Sequence, residues 1–239
     1  MHSIRAYLSS LVLLISFLWG VYIFCPAVFS KSPTPLKFVE AHHRITLPVP
    51  TSVGKGSLED LLQRRRTDRL ISSAPISLDE LSRLLWAAQG STGPGGLRTA
   101  PSAGALYPLE IRVLARNILG LASGSYLFLS KDNSLELIAA GNAEPALLKA
   151  TGQQPWVNKG AALIIVSGNY DKSAQKYGAR AHRYVHLEAG HVAQNIQLQA
   201  TNLGLATGLI GAFSDEEISA IFGFLPSETP LYLIPVGLK

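Results

Sequence analysis

Residues 182–203 read as one long helix with two dissimilar faces. Val185, Ala189, Val192, Ile196, Ala200 and Leu203 recur at the spacing of a single helical stripe, which predicts packing on a core. Beside that stripe run Glu188, His191, Asn195, Gln199 and Asn202. A face of amides with few charges suits an interface or a ligand better than open water. For each of these residues taken singly, a buried, self-satisfied polar network is an equal alternative. A domain that buries so long a helix needs a broad apolar surface to lay it on, and the rest of the chain predicts strands to supply one.

Those strands are expected at Glu110–Ala115, Ser125–Leu129, Ser134–Ala139, Ala161–Ser167 and Leu231–Val236. Further helices are expected at Ser57–Arg66, Ser77–Ala88, Asn142–Thr151 and Ser214–Phe222. Ser57, Ser77 and Ser214 serve as N-caps, with acidic residues three positions on. Strands and helices mix without strict alternation, so the fold class is α+β rather than a doubly wound parallel sheet. At 239 residues and 47% hydrophobic, the chain supports one domain with a core plus a targeting segment.

That segment is Tyr7–Phe29, almost wholly apolar and preceded by Arg5. It is long enough to cross a bilayer core. A cleaved signal peptide and an uncleaved anchor both fit, and Arg5 against Lys31 and Lys37 leaves the orientation undecided. The chain is therefore expected to be membrane-anchored or exported. Residues 1–30 are read as the apolar segment, 31–56 as an extended Pro-bearing linker and 57–239 as the domain.

The net charge is +5 and the sequence pI about 9.4. The basic residues bunch at Arg64, Arg65, Arg66 and Arg69, without the aromatic-interleaved stripe of a nucleic-acid surface, so no nucleic-acid partner is expected. Cys25, the one cysteine, lies in the apolar run, which excludes a disulfide framework and a cysteine nucleophile from the domain. His182 and His186 share a helical face but lack a third ligand, and no metal site is expected.

Four constellations carry chemistry. Arg65, Arg66, Thr67 and Arg69 can surround a phosphate, because guanidinium forks bind its oxygens in pairs. Pro101, Ser102, Ala103 and Gly104 form a small-residue loop that lets backbone approach a flat ligand, with the Ser102 hydroxyl free to address a ring edge. Gly208, Leu209, Ile210 and Gly211 form a second such stretch, and no Gly-x-Gly-x-x-Gly follows a strand. Lys176 and Tyr177, read as loop residues ahead of the long helix, are an acid/base pair if desolvated.

Read in order, these pieces resemble the nitroreductase family of FMN enzymes, and most closely its thiazole/oxazole-forming, SagB-type dehydrogenase branch. The resemblance is carried by Arg65–Arg69, Leu84–Gly90, Thr99–Pro108, Lys176–Arg180 and Glu188–Asn195. It implies a central, mainly antiparallel sheet flanked by helices and a homodimer, with the long helix and FMN at the dimer interface. Arg65, Arg66, Thr67 and Arg69 then hold the phosphate and ribityl chain, with Lys239 as a further basic ligand. Pro101–Gly104 and Gly208–Gly211 flank the ring, and Lys176 and Tyr177 are the catalytic pair. The implied activity is hydride transfer between a small-molecule or modified-peptide substrate and flavin N5. The alternatives are an NAD(P)H-dependent nitro or quinone reductase and a non-catalytic, membrane-tethered flavin-binding module.

Overall fold

The computed structural model describes residues 36–39, 43–50 and 56–239. The apolar segment 1–30 lies outside them. Among the described residues no helix is long and apolar enough to cross a membrane.

The strands are β1 (Lys37–Phe38), β2 (Arg44–Thr46), β3 (Ile76–Ser77), β4 (Leu109–Ala115), β5 (Ile118–Leu119), β6 (Gly124–Leu129), β7 (Ser134–Ala140), β8 (Ala162–Asn169), β9 (Leu205–Thr207) and β10 (Glu228–Leu238). Between them lie helices α1 (Leu58–Arg64), α2 (Leu78–Gln89), α3 (Glu144–Ala150), α4 (Tyr170–Tyr177), α5 (Ala181–Leu203) and α6 (Asp215–Phe222). The main sheet runs β1-β7-β6-β4-β8-β10-β9, with β2 also on β7. Every pairing in it is antiparallel, and β3 and β5 form a separate parallel pair. Within the stretch expected as linker, β1 and β2 pair with β7, and Leu47 is buried. The sheet therefore begins well before Ser57.

Strand β8 shows why the central run is continuously apolar. Ile164 and Val166 face one core with Val113, Ile111 and the helix α5 stripe. Leu163 and Ile165 face a second core with Leu147, Trp156 and Phe222. A strand covered on both faces has no polar alternation to display. The α5 stripe from Val185 to Ala200 is buried as expected. Truncating one of these large side chains to alanine costs about 2–5 kcal/mol.

The serine caps form as the sequence predicts. Ser57, Ser77 and Ser214 each accept from the backbone N–H three residues on, at 3.2 Å, and Glu80 closes a full capping box by accepting from Ser77 N at 2.7 Å. Each such cap is worth about 1 kcal/mol. Helix α4 is the unforeseen helix. Its eight residues bury only Ser173, so it has no apolar stripe to betray it, and its one cue is the Asn169 cap on Lys172 N.

Candidate functional site

The sequence-predicted residues gather into two clusters. The first begins where α1 stops. Arg65 is the C-cap, with extended backbone, and it turns the chain so that Asp68 N donates to Thr207 O at 2.9 Å. That bond brings the arginine segment beside the Gly-rich stretch. A Cβ on the buried Gly208 would lie 2.8 Å from the Trp156 ring and 3.1 Å from Thr67 Cγ2, so only glycine allows this approach without displacing them. Arg69 lies over the same Trp156 ring, 5.4 Å from its centroid. Arg65 donates to Gln197 Oε1 at 3.2 Å, and Arg66 donates to Gln63 O and Arg65 O. None of Arg65, Arg66 and Arg69 meets a carboxylate within 4 Å among the described residues. Three guanidiniums and a threonine hydroxyl without a counter-ion form a donor set that fits a phosphate group.

Leu209 is half-buried, and Ile210 exchanges backbone hydrogen bonds with Leu233. Gly211 is exposed beside a cavity of about 250 Å³ that His186, Ala189 and Tyr232 also line. Lys239 follows Leu238, whose backbone pairs with both Ser72 and Leu205, so the chain leaves the sheet near the arginine segment.

The second cluster is assembled from three places. Gly104 adopts φ +63°, and a Cβ there would lie 2.6 Å from Tyr177 Oη and 2.9 Å from Lys176 Nζ. The small-residue loop thus meets the Lys-Tyr pair directly. Both residues belong to the last turn of α4 rather than to a loop, which corrects the sequence expectation. The Tyr177 ring is held edge-on by Tyr184 of α5, 4.9 Å between centroids, and Lys176 Nζ lies 5.5 Å over the Tyr177 ring. Lys176 is exposed and Tyr177 half-buried. Pro101 is exposed, Ala103 half-buried, and Ala105 and Tyr107 hold φ +53° and +48°, left-handed values that non-glycine residues rarely adopt.

The Ser102 hydroxyl is engaged within the protein. Its Oγ accepts from Tyr107 N at 2.9 Å and lies within reach of Glu188. Glu188 is 2% exposed on α5. Gln89 donates to its Oε1 at 3.2 Å, and Arg98 donates in turn to Gln89 Oε1 at 2.7 Å. Burial pushes the Glu188 carboxyl up to about 7, against the opposing pull of Ser102, Arg98, Lys172 and Gln89. Asn195 reaches back from α5 to Thr99 O at 3.4 Å.

Sequence reasoning missed Trp156, Gln197, Gln89 and Arg98. The α2 pattern places Gln89 at a helix end, which gave a faint cue. Nothing local marks Trp156, whose role arises only when β9 and the arginine segment pair. His182 and His186 are engaged with Tyr170, the first by stacking at 4.2 Å and the second through Nε2 to the hydroxyl at 2.7 Å.

Comparisons with known proteins identify the family and the fold. The profile described as the nitroreductase family matches residues 62–238. A nitroreductase-type protein of Methanocaldococcus jannaschii is 43% identical over 182 residues, 76% of this chain and 91% of its own. The microcin B17-processing protein McbC of Escherichia coli is 27% identical over 60% of this chain, which spans 55% of McbC. Among solved structures, a nitroreductase-type chain from Anabaena variabilis superimposes with TM-score 0.72 at 27% identity. That match covers 82% of this chain and 42% of that one. The E. coli microcin synthetase McbBCD complex, solved with truncated pro-MccB17 bound, matches at TM-score 0.63 and 21% identity. It covers 98% of this chain and 92% of that chain.

Proposed function

The chain belongs to the nitroreductase family, and from that premise we propose that it is an FMN-dependent oxidoreductase of the SagB dehydrogenase type. The observation that carries the reading is the meeting of the Gly104 loop with Tyr177 Oη and Lys176 Nζ. A proton-handling pair packs into the space that the missing Cβ of Gly104 leaves, beside the small-residue loop.

The counter-ion-free set Arg65, Arg66, Thr67 and Arg69 would hold the FMN phosphate, with Lys239 nearby as a further cation. Gly208–Gly211 and Pro101–Gly104 would border the ring. FMN supplies hydride transfer at its N5 when bound. The chain's own part is to fix the substrate beside Gly104 and to take or give a proton at Tyr177 Oη, with the Lys176 ammonium steadying the phenolate form. Likeness to McbC, a microcin-processing protein, favours a modified peptide among the substrates of the proposed oxidation.

Loading with FMN followed by gel filtration is the test. A yellow protein is expected, and a colourless one overturns the flavin reading. The relatives named as nitroreductases favour the opposite direction, reduction of the substrate. Rapid bleaching by NADH or NADPH alone selects that direction. A bound flavin that no donor reduces selects a binding module.

The reading includes a homodimer that completes each site. Exposed Leu58 and Leu62 on α1 and Leu187 on α5 support it, together with a cavity of about 220 Å³ bounded by Leu61, Trp86 and Leu198. Light scattering at twice the chain mass is the expected result. The reading also places the domain at a membrane or beyond it, through the apolar residues 7–29. Carbonate-resistant sedimentation of the full chain identifies an anchor, and a shortened soluble product identifies a cleaved signal.

A further inference from the structure

A cavity of about 330 Å³ opens beside the small-residue loop, on the side of Tyr107. Its floor is apolar, where Leu109, Ile111 and Phe128 of the sheet are each buried. Its walls are charged, and the charges are unequally matched. Asp132 lies 3.7 Å from Arg44, which also binds Glu136, and Glu110 lies 3.8 Å from Arg112. Both lining acids are thereby engaged. Arg98 and Lys172 also line the cavity, and neither has a carboxylate within 4 Å among the described residues.

Arg98 is held in place without being neutralised. Its guanidinium lies over the Tyr107 ring, 4.4 Å from the centroid, and one amino group donates to Gln89. Gln89 bridges it to Glu188, whose charge acts on Arg98 and Lys172 across space without a direct contact. The Arg98 backbone N–H donates to Tyr107 Oη, and Lys172 Nζ donates to Tyr107 O at 3.0 Å. Tyr107 itself sits at φ +48°, a costly conformation that these three contacts hold together with the Ser102 Oγ on its N–H. A half-buried guanidinium without a counter-ion is an expensive arrangement for stability alone.

We propose that this cavity binds a carboxylate with an apolar body, its acid group on Arg98 and Lys172. Lys172 lies one helical turn before Lys176 on α4, so the bound acid sits next to the Lys-Tyr pair. Only the ligand's role as substrate rests on the oxidoreductase reading above. The carboxylate site itself stands on the cavity and its unmatched cations. A C-terminal or side-chain carboxylate beside the reacting atoms fits this site better than a neutral nitroaromatic or quinone.

The probe is 4-fluorobenzoate, followed by fluorine NMR on the full chain with and without FMN, with 4-fluorobenzamide as the neutral isostere. The acid is expected to bind at least about tenfold more tightly than the amide, and less tightly as salt is raised. Arg98→Met and Lys172→Met are each expected to weaken the acid about tenfold and to leave the amide unmoved. Lys172 is exposed, so its replacement tests the site without disturbing a core. Lys149→Met, which removes a distant exposed cation paired with Glu217, is expected to change nothing. Equal binding of acid and amide, or acid binding indifferent to Lys172→Met, overturns the proposal. A chain that binds 4-fluorobenzoate in this charge-dependent way but takes up no FMN refutes the flavin reading and leaves the carboxylate site standing.

Discussion

The arginine cluster and the Gly104 cluster are built by opposite means. The first draws most of its groups from five consecutive residues, Arg65–Arg69, and adds an outside glycine, a tryptophan and Gln197. The second joins the loop at 101–107, the end of α4 and the middle of α5, and it holds two non-glycine residues at positive φ. One cluster offers spare charge at little conformational cost. The other stores strain and buries an acid. Grip on an anion can be written locally in a chain, whereas a reacting geometry has to be imposed by the fold.

That contrast can be broken. If the Gly104 cluster does the chemistry, Tyr177→Phe and Lys176→Ala lower turnover on the order of a hundredfold or more, while FMN content by absorbance stays at the wild-type level. Unchanged turnover removes the pair from the mechanism. If the arginine cluster only grips, Arg65→Ala and Arg69→Ala each weaken FMN affinity by roughly tenfold to a hundredfold, and saturating FMN restores turnover. A loss that excess FMN does not rescue collapses the distinction between the clusters.

Gly104→Ala sharpens it further. The added Cβ meets Tyr177 Oη in a left-handed backbone, so about 1–3 kcal/mol of stability is lost together with turnover. A thermal melt and a rate on the same sample check both. Glu188 gives a pH signature. Its folded-state pKa is raised, so at intermediate pH the folded chain holds a proton that the unfolded chain releases. Stability therefore falls as pH rises from the ordinary carboxylate value of 4.5 to about 7, and it is highest below that window. Glu188→Gln should flatten that slope in denaturant titrations across the window. The smallest effect belongs to Arg64→Ala. It loses a surface pair with Asp60 and should leave FMN affinity and turnover unmoved.

How much could be read in advance follows the same division. The long helix, the serine caps and the apolar run of β8 announce themselves through period and spacing, because each is decided within one element. The arginine segment was equally legible, since its charges are neighbours in sequence. Helix α4 was not, because its exposed residues carry no period, and Lys176 and Tyr177 were therefore placed on a loop. The partner of Ser102 was hidden for a different reason. Its link to Glu188 spans from the loop to α5 and exists only once the sheet has set their separation. Strands β1 and β2 escaped notice because prolines on both sides gave their segment the look of a linker.

The order of the strands sets when the domain can finish folding. Strand β8 lies between β4 and β10, and β10 follows it only after the whole of α5 and α6 has been made. Until synthesis has passed Leu238, β8 lacks a neighbour along one edge and both cores lack a wall. Such late, long-range closure is slow.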